Sequence, residues 1–404
     1  MGDNIKMMNK PASKFDVLKT LLSNPQLIRV KPAINWFMLQ YMNKFKVKKI
    51  GDRLVLHSHL PPLNSKAFTR FVNEHLLIKT GGPSHAQVGV TNACPQNCEY
   101  CYNKNRQGKV MDKQTIKRVI RDLKSLGVFW LGFTGGEPLL NKDLVEITES
   151  AGEDFALKLF TTGCTLTRQL ALDLKQAGLV YVSVSLDHWD EARHDAVRRY
   201  KGAFQTALKA VDIFKSIGGM HVSVSTVLSK ELLQPDRLEE FLFFLNKLEI
   251  DEAWLSETKP AVAAFWNKDL VISEEERLML INLQDRYNKL GGMTINYLGH
   301  FESEYNFGCT AGHKMVYVDA FGEVTPCVFM PMSFGNIHNS DLADIFRGMR
   351  NRFPAENRCF VNTHYKLLQK YGRDKALLNP AESLSMLSEV HFNPLSKFFQ
   401  LHYQ

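Results

Sequence analysis

Six segments with strand character, each followed by a segment with helical character, run through the middle of this 404-residue chain. In the first of the helical segments, apolar residues recur at helical spacing between Asp112, which can cap the helix, and Gly127, which can close it. Repeated strand–helix units predict a parallel, curved α/β sheet that is either open or partly closed like a barrel. The predicted strands are Ala86–Val90, Val128–Phe133, Ala156–Phe160, Leu179–Leu186, His221–Leu228 and Glu252–Ser256.

Three cysteines follow the first predicted strand in the spacing C-x3-C-x2-C. They are Cys94, Cys98 and Cys101, and a Gly-Gly-Glu-Pro segment at 135–138 ends the second strand. Three thiolates within eight residues can each hold one iron of a [4Fe–4S] cluster, which leaves the fourth iron open to a substrate or cofactor. A zinc site is the alternative, but zinc motifs usually pair two such groups, and no further cysteine or histidine follows nearby.

The segment Thr91–Tyr102 resembles the cluster loop of the radical S-adenosylmethionine (SAM) enzymes. In that family the open iron is chelated by SAM, and reduction of the cluster cleaves SAM to a 5′-deoxyadenosyl radical. The resemblance implies a partial (βα)6 TIM-like barrel, a [4Fe–4S] cluster on Cys94, Cys98 and Cys101, and SAM as a second cofactor. It also implies an external electron donor such as a flavodoxin or a ferredoxin.

The resemblance also implies SAM ligands at the carboxyl ends of the strands, where chemistry gathers in βα barrels. Gly135 and Gly136 allow close backbone approach, and Glu137 can accept hydrogen bonds from the SAM amino group. The stretch after the fourth strand resembles the S-L-D-G … H-D-x-x-R … G-x-F pattern of SPASM-type radical SAM proteins. In those proteins a strand serine and an arginine bind SAM, which implies Ser185 and Arg198 here.

Three neighbouring residues leave alternatives open at this point. Arg199 is adjacent to Arg198 and Arg193 is close, so either guanidinium could replace that of Arg198. His188 stands where the family has glycine, so either the turn differs or the imidazole faces the substrate. No residue is assigned a catalytic role in the reaction after SAM cleavage.

The C-terminal third carries a second resemblance. The spacing C-x12-G-x4-C, which begins at Cys309 and ends at Cys327, and a later G-N-I are similar to the opening of a SPASM domain. Val316–Val318 and Glu323–Thr325 alternate like the two strands of a hairpin. The hairpin would bring Cys309 and Cys327 together, and Cys359 would arrive after the following helix.

A full SPASM domain has about seven cysteines for two auxiliary clusters. This chain offers Cys309, Cys327 and Cys359 in that region, which places it closer to the shortened "twitch" form. We therefore expect one auxiliary [4Fe–4S] cluster, with His364, His338, water or substrate as its fourth ligand. A degenerate remnant without metal and a zinc site are the alternatives.

The net charge of +8 is concentrated in the first 50 residues, which hold ten Lys and Arg against two Asp. A basic amphipathic helix is expected over Pro32–Lys46. It predicts either packing against the catalytic domain or peripheral contact with an anionic membrane through residues 1–50. The apolar residues that recur at helical spacing are Ile34, Phe37, Met38, Tyr41, Met42 and Phe45.

Four regions are expected along the chain. They are a basic helical segment at 1–80, the barrel at 81–300, an auxiliary-cluster domain at 301–365 and a helical tail at 366–404. The sequence shows no signal peptide and no apolar run long enough to cross a bilayer, which predicts a cytoplasmic protein, peripheral to the membrane at most. Nucleic acid is not expected as a partner, because no aromatic stacking pattern accompanies the basic charge.

The predicted function is that of a radical SAM oxidoreductase or transferase. The 5′-deoxyadenosyl radical would abstract hydrogen from an unassigned substrate, either a peptide or protein or a lipid-like, membrane-associated metabolite. The alternative is an iron–sulfur electron-transfer or maturation protein without its own SAM chemistry.

Overall fold

The computed structural model describes residues 12–13, 20, 22–266, 270–373 and 375–404. Within them, nine strands form one sheet in the spatial order β11-β10-β3-β4-β5-β6-β7-β8-β9, and β1 pairs with β2 in a separate hairpin. The strands are β1 Lys48–Ile50, β2 Arg53–Val55, β3 His85–Thr91, β4 Trp130–Gly135, β5 Ala156–Thr161, β6 Tyr181–Ser185, β7 His221–Leu228, β8 Glu252–Glu257, β9 Thr294–Tyr297, β10 Met315–Val318 and β11 Val324–Thr325.

Helices separate the central strands and cover the sheet. The α-helices are α1 Pro32–Met42, α2 Lys66–Arg70, α3 Lys113–Ser125, α4 Leu144–Ala151, α5 Arg168–Gln176, α6 Glu191–Arg198, α7 Ala203–Ile217, α8 Pro235–Lys247, α9 Glu274–Leu290, α10 Leu298–Phe301, α11 Leu342–Arg350, α12 Phe360–Gly372, α13 Pro380–Leu387 and α14 Lys397–Tyr403. A π-helix spans Phe71–Leu77, and short 3-10 helices span Pro25–Arg29, Pro138–Leu140, Gly152–Asp154 and Ala263–Phe265.

The predicted strand–helix alternation is confirmed from β3 to β8. These six strands pair in parallel in chain order. The Asp112 carboxylate caps α3 by accepting a hydrogen bond from the Thr115 N–H at 2.8 Å. The central strands are almost entirely buried, as expected of a parallel sheet covered by crossover helices.

One strand and one strand pairing were not predicted. The unpredicted strand, β9, pairs in parallel with β8 at one edge of the sheet. The unpredicted pairing joins β10 in parallel to β3. The predicted C-terminal hairpin is present, because β10 and β11 pair antiparallel. Since β10 belongs to both pairings, the C-terminal extension continues the barrel sheet directly beside β3, the strand that leads into the cysteine loop.

The N-terminal amphipathic helix packs against the protein itself, which is the first of the two alternatives. The apolar stripe on α1 is buried, and the Phe37 ring lies 5.4 Å from the rings of both Phe307 and Phe398. Lys44 forms a 3.3 Å ion pair with Asp285 on α9. The predicted membrane contact therefore cannot use this stripe. Part of the basic segment, including Lys6, Lys10, Lys14 and Lys19, lies outside the described residues.

A segment at residues 57–60 closes the amino-terminal end of the barrel. The backbone carbonyl of Ser58 accepts a hydrogen bond from the Trp130 indole at the start of β4, at 2.8 Å. The Leu60 carbonyl accepts one from the Tyr181 hydroxyl at the start of β6, at 2.7 Å. Ser58 also donates to the fully buried Glu252 carboxylate through its N–H and its hydroxyl, at 2.7 and 2.6 Å. These bonds form a floor, so the barrel opens toward the carboxyl ends of its strands.

Candidate functional site

The cysteine loop follows β3 at the open end of the barrel. Cys94, Cys98 and Cys101 (the loop cysteines) are free thiols and line a cavity of about 400 Å³. The loop is attached to the end of α6, because the Asn97 N–H donates to the Arg198 carbonyl at 3.1 Å. All three cysteines predicted from the C-x3-C-x2-C spacing are thus brought to one wall.

Polar side chains hold the loop in place from several elements. The Tyr102 hydroxyl bonds to Thr134 on β4 at 2.8 Å, and the Tyr317 hydroxyl on β10 donates to Asn103 at 3.0 Å. Arg106 forms a buried ion pair with Asp319 at 3.0 Å. These partners lie on the barrel and on the C-terminal hairpin, so the conformation of the loop depends on both regions.

The two glycines at the end of β4 pack directly against the start of the loop. A Cβ atom at Gly135 would lie 2.1 Å from the Thr91 carbonyl oxygen, and one at Gly136 would lie 2.2 Å from the Ala93 carbonyl oxygen. Gly135 also has a φ of +122°, which side-chain-bearing residues rarely adopt. Both glycines line the cavity, so their backbone can reach a ligand beside the loop cysteines.

The side chain of Glu137 points into the protein instead. Its carboxylate is fully buried and accepts hydrogen bonds from the Thr161 hydroxyl at 2.6 Å and from the Thr162 N–H at 2.6 Å, and further ones from the Thr162 hydroxyl and the Leu139 N–H. Burial raises the pKa of Glu137, although these hydrogen bonds oppose that shift. The carboxylate therefore ties the glycine segment to the end of β5, and a direct contact with a SAM amino group is not available to it in this geometry.

Ser185 and Arg198 both line the cavity, as the resemblance implies. The Arg198 Nε lies 2.7 Å from the Asp187 carboxylate, and its guanidinium carbon lies 5.6 Å above the Tyr100 ring. The Tyr100 hydroxyl donates to the same carboxylate at 2.5 Å. Burial opposes ionisation of Asp187, but the charges of Arg198 and His194 and the hydrogen bonds from Tyr100 and the Val227 N–H together outweigh it and lower the Asp187 pKa. The Arg198 Nη1 also donates to the Gln96 side chain at 3.4 Å, so the guanidinium is held at the cavity beside the cysteine loop.

Arg199, Arg193 and His188, which left alternatives open in the sequence, are not among the residues that line the cavity. Arg199 pairs with Glu99 and Arg193 pairs with Glu231, and all four of these side chains are at least 45% exposed. His188 stacks on Trp189 with 4.1 Å between ring centroids, and its Nδ1 accepts a hydrogen bond from the Asp190 N–H. The structure therefore favours Arg198 over its neighbours and directs the His188 imidazole toward Trp189.

Replacement of Arg198 by lysine is expected to weaken SAM binding by about tenfold or more, because an ammonium keeps the charge but not the planar fork that engages a carboxylate. The measurement is SAM affinity of the reconstituted, non-reduced protein by equilibrium dialysis. Arg199→Lys is the matched control and should leave the affinity unchanged. Equal affinities for the Arg198→Lys variant and the unmodified protein would contradict this role.

Cys309, Cys327 and Cys359 (the C-terminal cysteines) line the same cavity. The β10–β11 hairpin places the first two, and Cys359 lies at the amino-terminal end of α12. Burial raises the pKa of Cys327 to about 12 and that of Cys359 to about 11, so these thiols ionise when a cation binds them. The three cysteines expected to share an auxiliary cluster thus all reach this cavity.

Neither histidine predicted as a fourth ligand is among the residues that line this cavity. The His364 Nε2 is 3.3 Å from the Glu356 carboxylate, and the His338 Nε2 is 3.3 Å from the Lys109 carbonyl. In the described part of the chain, no group of three His, Cys, Asp or Glu side chains is arranged to hold a metal ion.

Lys259 and His59 line the cavity but were missed by the sequence analysis. Lys259 follows the carboxyl end of β8, and residues at such positions commonly take part in catalysis in barrel enzymes. This position was the one sequence signal that could have identified Lys259. Burial opposes its charge, but the neighbouring thiol of Cys359 and two carboxylates hold its pKa well above the usual range. His59 comes from the segment that closes the barrel, and no motif marks it.

Aromatic rings surround His59 at the inner end of the cavity. Its ring stacks on Phe301 with 5.4 Å between centroids and on Trp130 with 5.5 Å, and its Nδ1 lies 3.3 Å from the Trp254 indole nitrogen. Burial lowers the pKa of His59 well below its usual value, so the ring is neutral. The inner end of the cavity is therefore lined by aromatic rings and a neutral imidazole, and the Lys158 ammonium lies 4.8 Å from the Trp254 ring centroid.

Comparison with known families identifies two domains in this arrangement. Residues 88–243 match the radical SAM superfamily, and residues 309–365 match the iron–sulfur cluster-binding domain called SPASM. The chain therefore contains a radical SAM domain followed by a SPASM domain. These are the two domains that the resemblance noted in the sequence implies, so that prediction is confirmed.

Two curated relatives share 24% identity with this chain. An AdoMet-dependent heme synthase of Methanosarcina barkeri aligns over 326 residues, which are 72% of this chain and 92% of the relative. A GTP 3′,8-cyclase of Marinobacter nauticus aligns over 281 residues, which are 66% of this chain and 83% of the relative.

Solved structures share the fold at lower identity. Streptococcus suis SuiB bound to the precursor peptide SuiA has a TM-score of 0.58 at 15% identity, covering 73% of this chain and 75% of that one. The protein anSMEcpe with bound AdoMet and a peptide has a TM-score of 0.53 at 17% identity, covering 76% of this chain and 96% of that one. The predicted partial barrel with an iron–sulfur extension is thereby confirmed.

The two domains imply iron–sulfur clusters and SAM as cofactors, and the residues that line the cavity fit these groups. A radical SAM domain implies a [4Fe–4S] cluster and SAM, and a SPASM domain implies auxiliary iron–sulfur clusters. Two sets of three free thiols line one cavity, and Gly135, Gly136 and the Arg198 guanidinium line it as well. The loop cysteines would hold the first cluster, and the C-terminal cysteines an auxiliary one.

Proposed function

We propose that this protein abstracts a hydrogen atom from a substrate bound between its loop cysteines and its C-terminal cysteines. The observation that carries the proposal is that both sets of cysteines line one cavity. When bound, the cluster on the loop cysteines supplies the electron that cleaves SAM to methionine and a 5′-deoxyadenosyl radical. An external flavodoxin or ferredoxin is proposed as the electron source. The reaction is of the oxidoreductase or transferase type.

The residues around the loop cysteines are proposed to bind SAM. The Arg198 guanidinium would engage the SAM carboxylate, since Asp187 and Tyr100 fix its orientation. The backbone of Gly135 and Gly136 would contact the polar end of SAM where no side chain intervenes. Because these groups are ordered before ligand arrives, little side-chain entropy is lost on binding.

The inner end of the cavity supports a proposal on the substrate. His59, Trp254 and Phe301 offer flat, neutral surfaces, and the floor at residues 57–60 blocks passage through the barrel. A planar, apolar part of the substrate would stack here, and its charged groups would remain nearer the open end. One relative is a heme synthase and SuiB binds a precursor peptide, and both heme and the aromatic side chains of peptides carry a flat apolar group.

Reductive SAM cleavage tests the proposal. The protein is reconstituted anaerobically with iron and sulfide and reduced with dithionite in the presence of SAM. We expect 5′-deoxyadenosine to form and to be measurable by liquid chromatography. Absence of 5′-deoxyadenosine from protein with complete iron loading would contradict the proposal and favour an electron-transfer or maturation protein.

Peripheral membrane contact is proposed through a different face from the buried stripe of α1. Ile28 is 87% exposed, Trp36 is 64% exposed and Leu39 is 54% exposed, with Arg29 and Lys31 exposed beside them. Aromatic and aliphatic side chains flanked by basic ones fit the interface of an anionic bilayer. Among the described residues no helix is long and apolar enough to cross a membrane.

The double replacement Trp36→Ser with Leu39→Ser is expected to reduce co-sedimentation with phosphatidylserine vesicles at least fivefold at low salt. The unmodified protein should bind at low salt and be released at high salt, because each Lys or Arg at the surface contributes about 1 kcal/mol. Phe243→Ser, on the exposed face of α8, is the control and should bind normally. Deletion of residues 1–50 is unsuitable, since it would uncover Phe307 and Phe398. Failure of the unmodified protein to bind would exclude lipid contact.

A further inference from the structure

Lys259 lies against the sulfur of Cys359 in the wall of the cavity. Its Nζ is 3.3 Å from the Cys359 Sγ, 2.8 Å from a Glu302 carboxylate oxygen and 3.1 Å from a Glu257 carboxylate oxygen. The side chain is 1% exposed. An ammonium has three N–H donors, and these three acceptors account for them. One of the donors is therefore directed at a cysteine that would ligate the auxiliary cluster.

Two carboxylates and a guanidinium share the surroundings of Lys259. Arg277 engages Glu257 with its Nε at 3.0 Å and its Nη2 at 2.8 Å, so the Glu257 charge is balanced mainly by Arg277. Glu302, the other carboxylate near Lys259, lies 2.8 Å from its Nζ and is 17% exposed at its side chain. The ammonium of Lys259 therefore offsets the charge of Glu302 beside the buried Cys359 sulfur, and its removal would leave that charge unbalanced.

We propose that Lys259 raises the reduction potential of the auxiliary cluster held by the C-terminal cysteines. Net charge and hydrogen bonds to the ligand sulfurs are among the determinants of such potentials. Reduction adds one negative charge to the buried cluster, and an ammonium in contact with a ligand sulfur stabilises that state. The inference rests on the auxiliary cluster that the SPASM domain implies, and it does not depend on SAM cleavage.

The test replaces Lys259 by methionine, which keeps the length of the side chain but removes its charge and donors. It is made in the full chain with the loop cysteines changed to alanine, so that a single cluster is observed. The midpoint potential is measured by redox titration followed by electron paramagnetic resonance. We expect the reduction equilibrium to shift at least tenfold toward the oxidised state, which is about 59 mV for a one-electron couple.

Two further variants separate an electrostatic effect from a structural one. Lys259→Arg keeps the charge and should restore most of the potential. Lys370→Met removes an exposed lysine that pairs with Glu389 at 2.7 Å, and it should leave the potential unchanged. An unchanged midpoint potential in Lys259→Met would overturn the proposal, as would equal shifts in Lys259→Met and Lys370→Met.

A second measurement decides the matter if Lys259→Met loses its cluster. Glu302→Gln removes the competing carboxylate and leaves Lys259 and all three cysteines in place. The potential should then rise, because the carboxylate that balances Lys259 is removed and the ammonium beside Cys359 becomes uncompensated. A fall or no change in the Glu302→Gln variant would overturn the proposal on its own. Both outcomes are independent of whether 5′-deoxyadenosine forms.

Discussion

Replacement of all three loop cysteines by alanine is expected to abolish 5′-deoxyadenosine formation and to lower the iron content from about eight to about four per chain, since each [4Fe–4S] cluster holds four irons. The physical reason is that the other thiols among the residues lining the cavity are Cys309, Cys327 and Cys359, which are themselves expected to hold the auxiliary cluster. Iron is measured by colorimetric assay after anaerobic reconstitution, and cleavage by chromatography.

The matched control is the triple alanine variant of the C-terminal cysteines. It should lose the same amount of iron but retain reductive SAM cleavage, because the loop cysteines and Arg198 remain. Retained cleavage in the loop variant would refute the assignment of the first cluster. A content near four irons in the unmodified protein would show that the C-terminal cysteines hold no cluster.

Asp319→Ala is expected to destabilise the folded protein by about 3–5 kcal/mol, because it leaves the buried Arg106 guanidinium without its partner. The two side chains are 2% and 1% exposed and form a 3.0 Å ion pair. Asp319 also accepts hydrogen bonds from the N–H groups of Phe321 and Glu323, which form the turn of the β10–β11 hairpin. The free energy of unfolding is measured by urea titration of the unreconstituted chain.

A surface carboxylate provides the comparison for Asp319. Asp344 pairs with Arg347 on α11 at 3.0 Å, but these side chains are 65% and 71% exposed. Asp344→Ala should change stability little, since exposed ion pairs are weak. If both alanine variants were equally stable, the pair between Arg106 and Asp319 would not be what couples the cysteine loop to the C-terminal hairpin.

Local patterns were sufficient to predict the barrel and the cysteines of the site. The helix that Asp112 caps and the strands from β3 to β8 follow from hydrophobic spacing over a few residues, which acts within each segment. The loop cysteines and the C-terminal cysteines were identified for the same reason, since spacing and hairpin pattern are local. Arg198 was identified together with two neighbours, and only its burial against Asp187 and Tyr100 separates it from them.

Contacts between distant segments could not be predicted in this way. β10 joins β3 although more than 220 residues separate them, and the register of such a pair depends on every element between them. The stripe on α1 was recognised as apolar, but its partners Phe307 and Phe398 lie far along the chain. Similarly, the carboxylate of Glu137 was expected at the ligand and is instead committed to Thr161 and Thr162.

The sequence by itself determined the kind of chemistry available, because the thiols, the glycines and the strand–helix alternation are properties of short segments. The tertiary structure alone decided that both sets of cysteines face one cavity, that His59 and its aromatic neighbours form its inner end, and that Lys259 rests on Cys359. These arrangements depend on burial and on pairing between remote strands. The free energies of burial and of strand pairing depend on the whole packed molecule, so no single stretch of residues determines them.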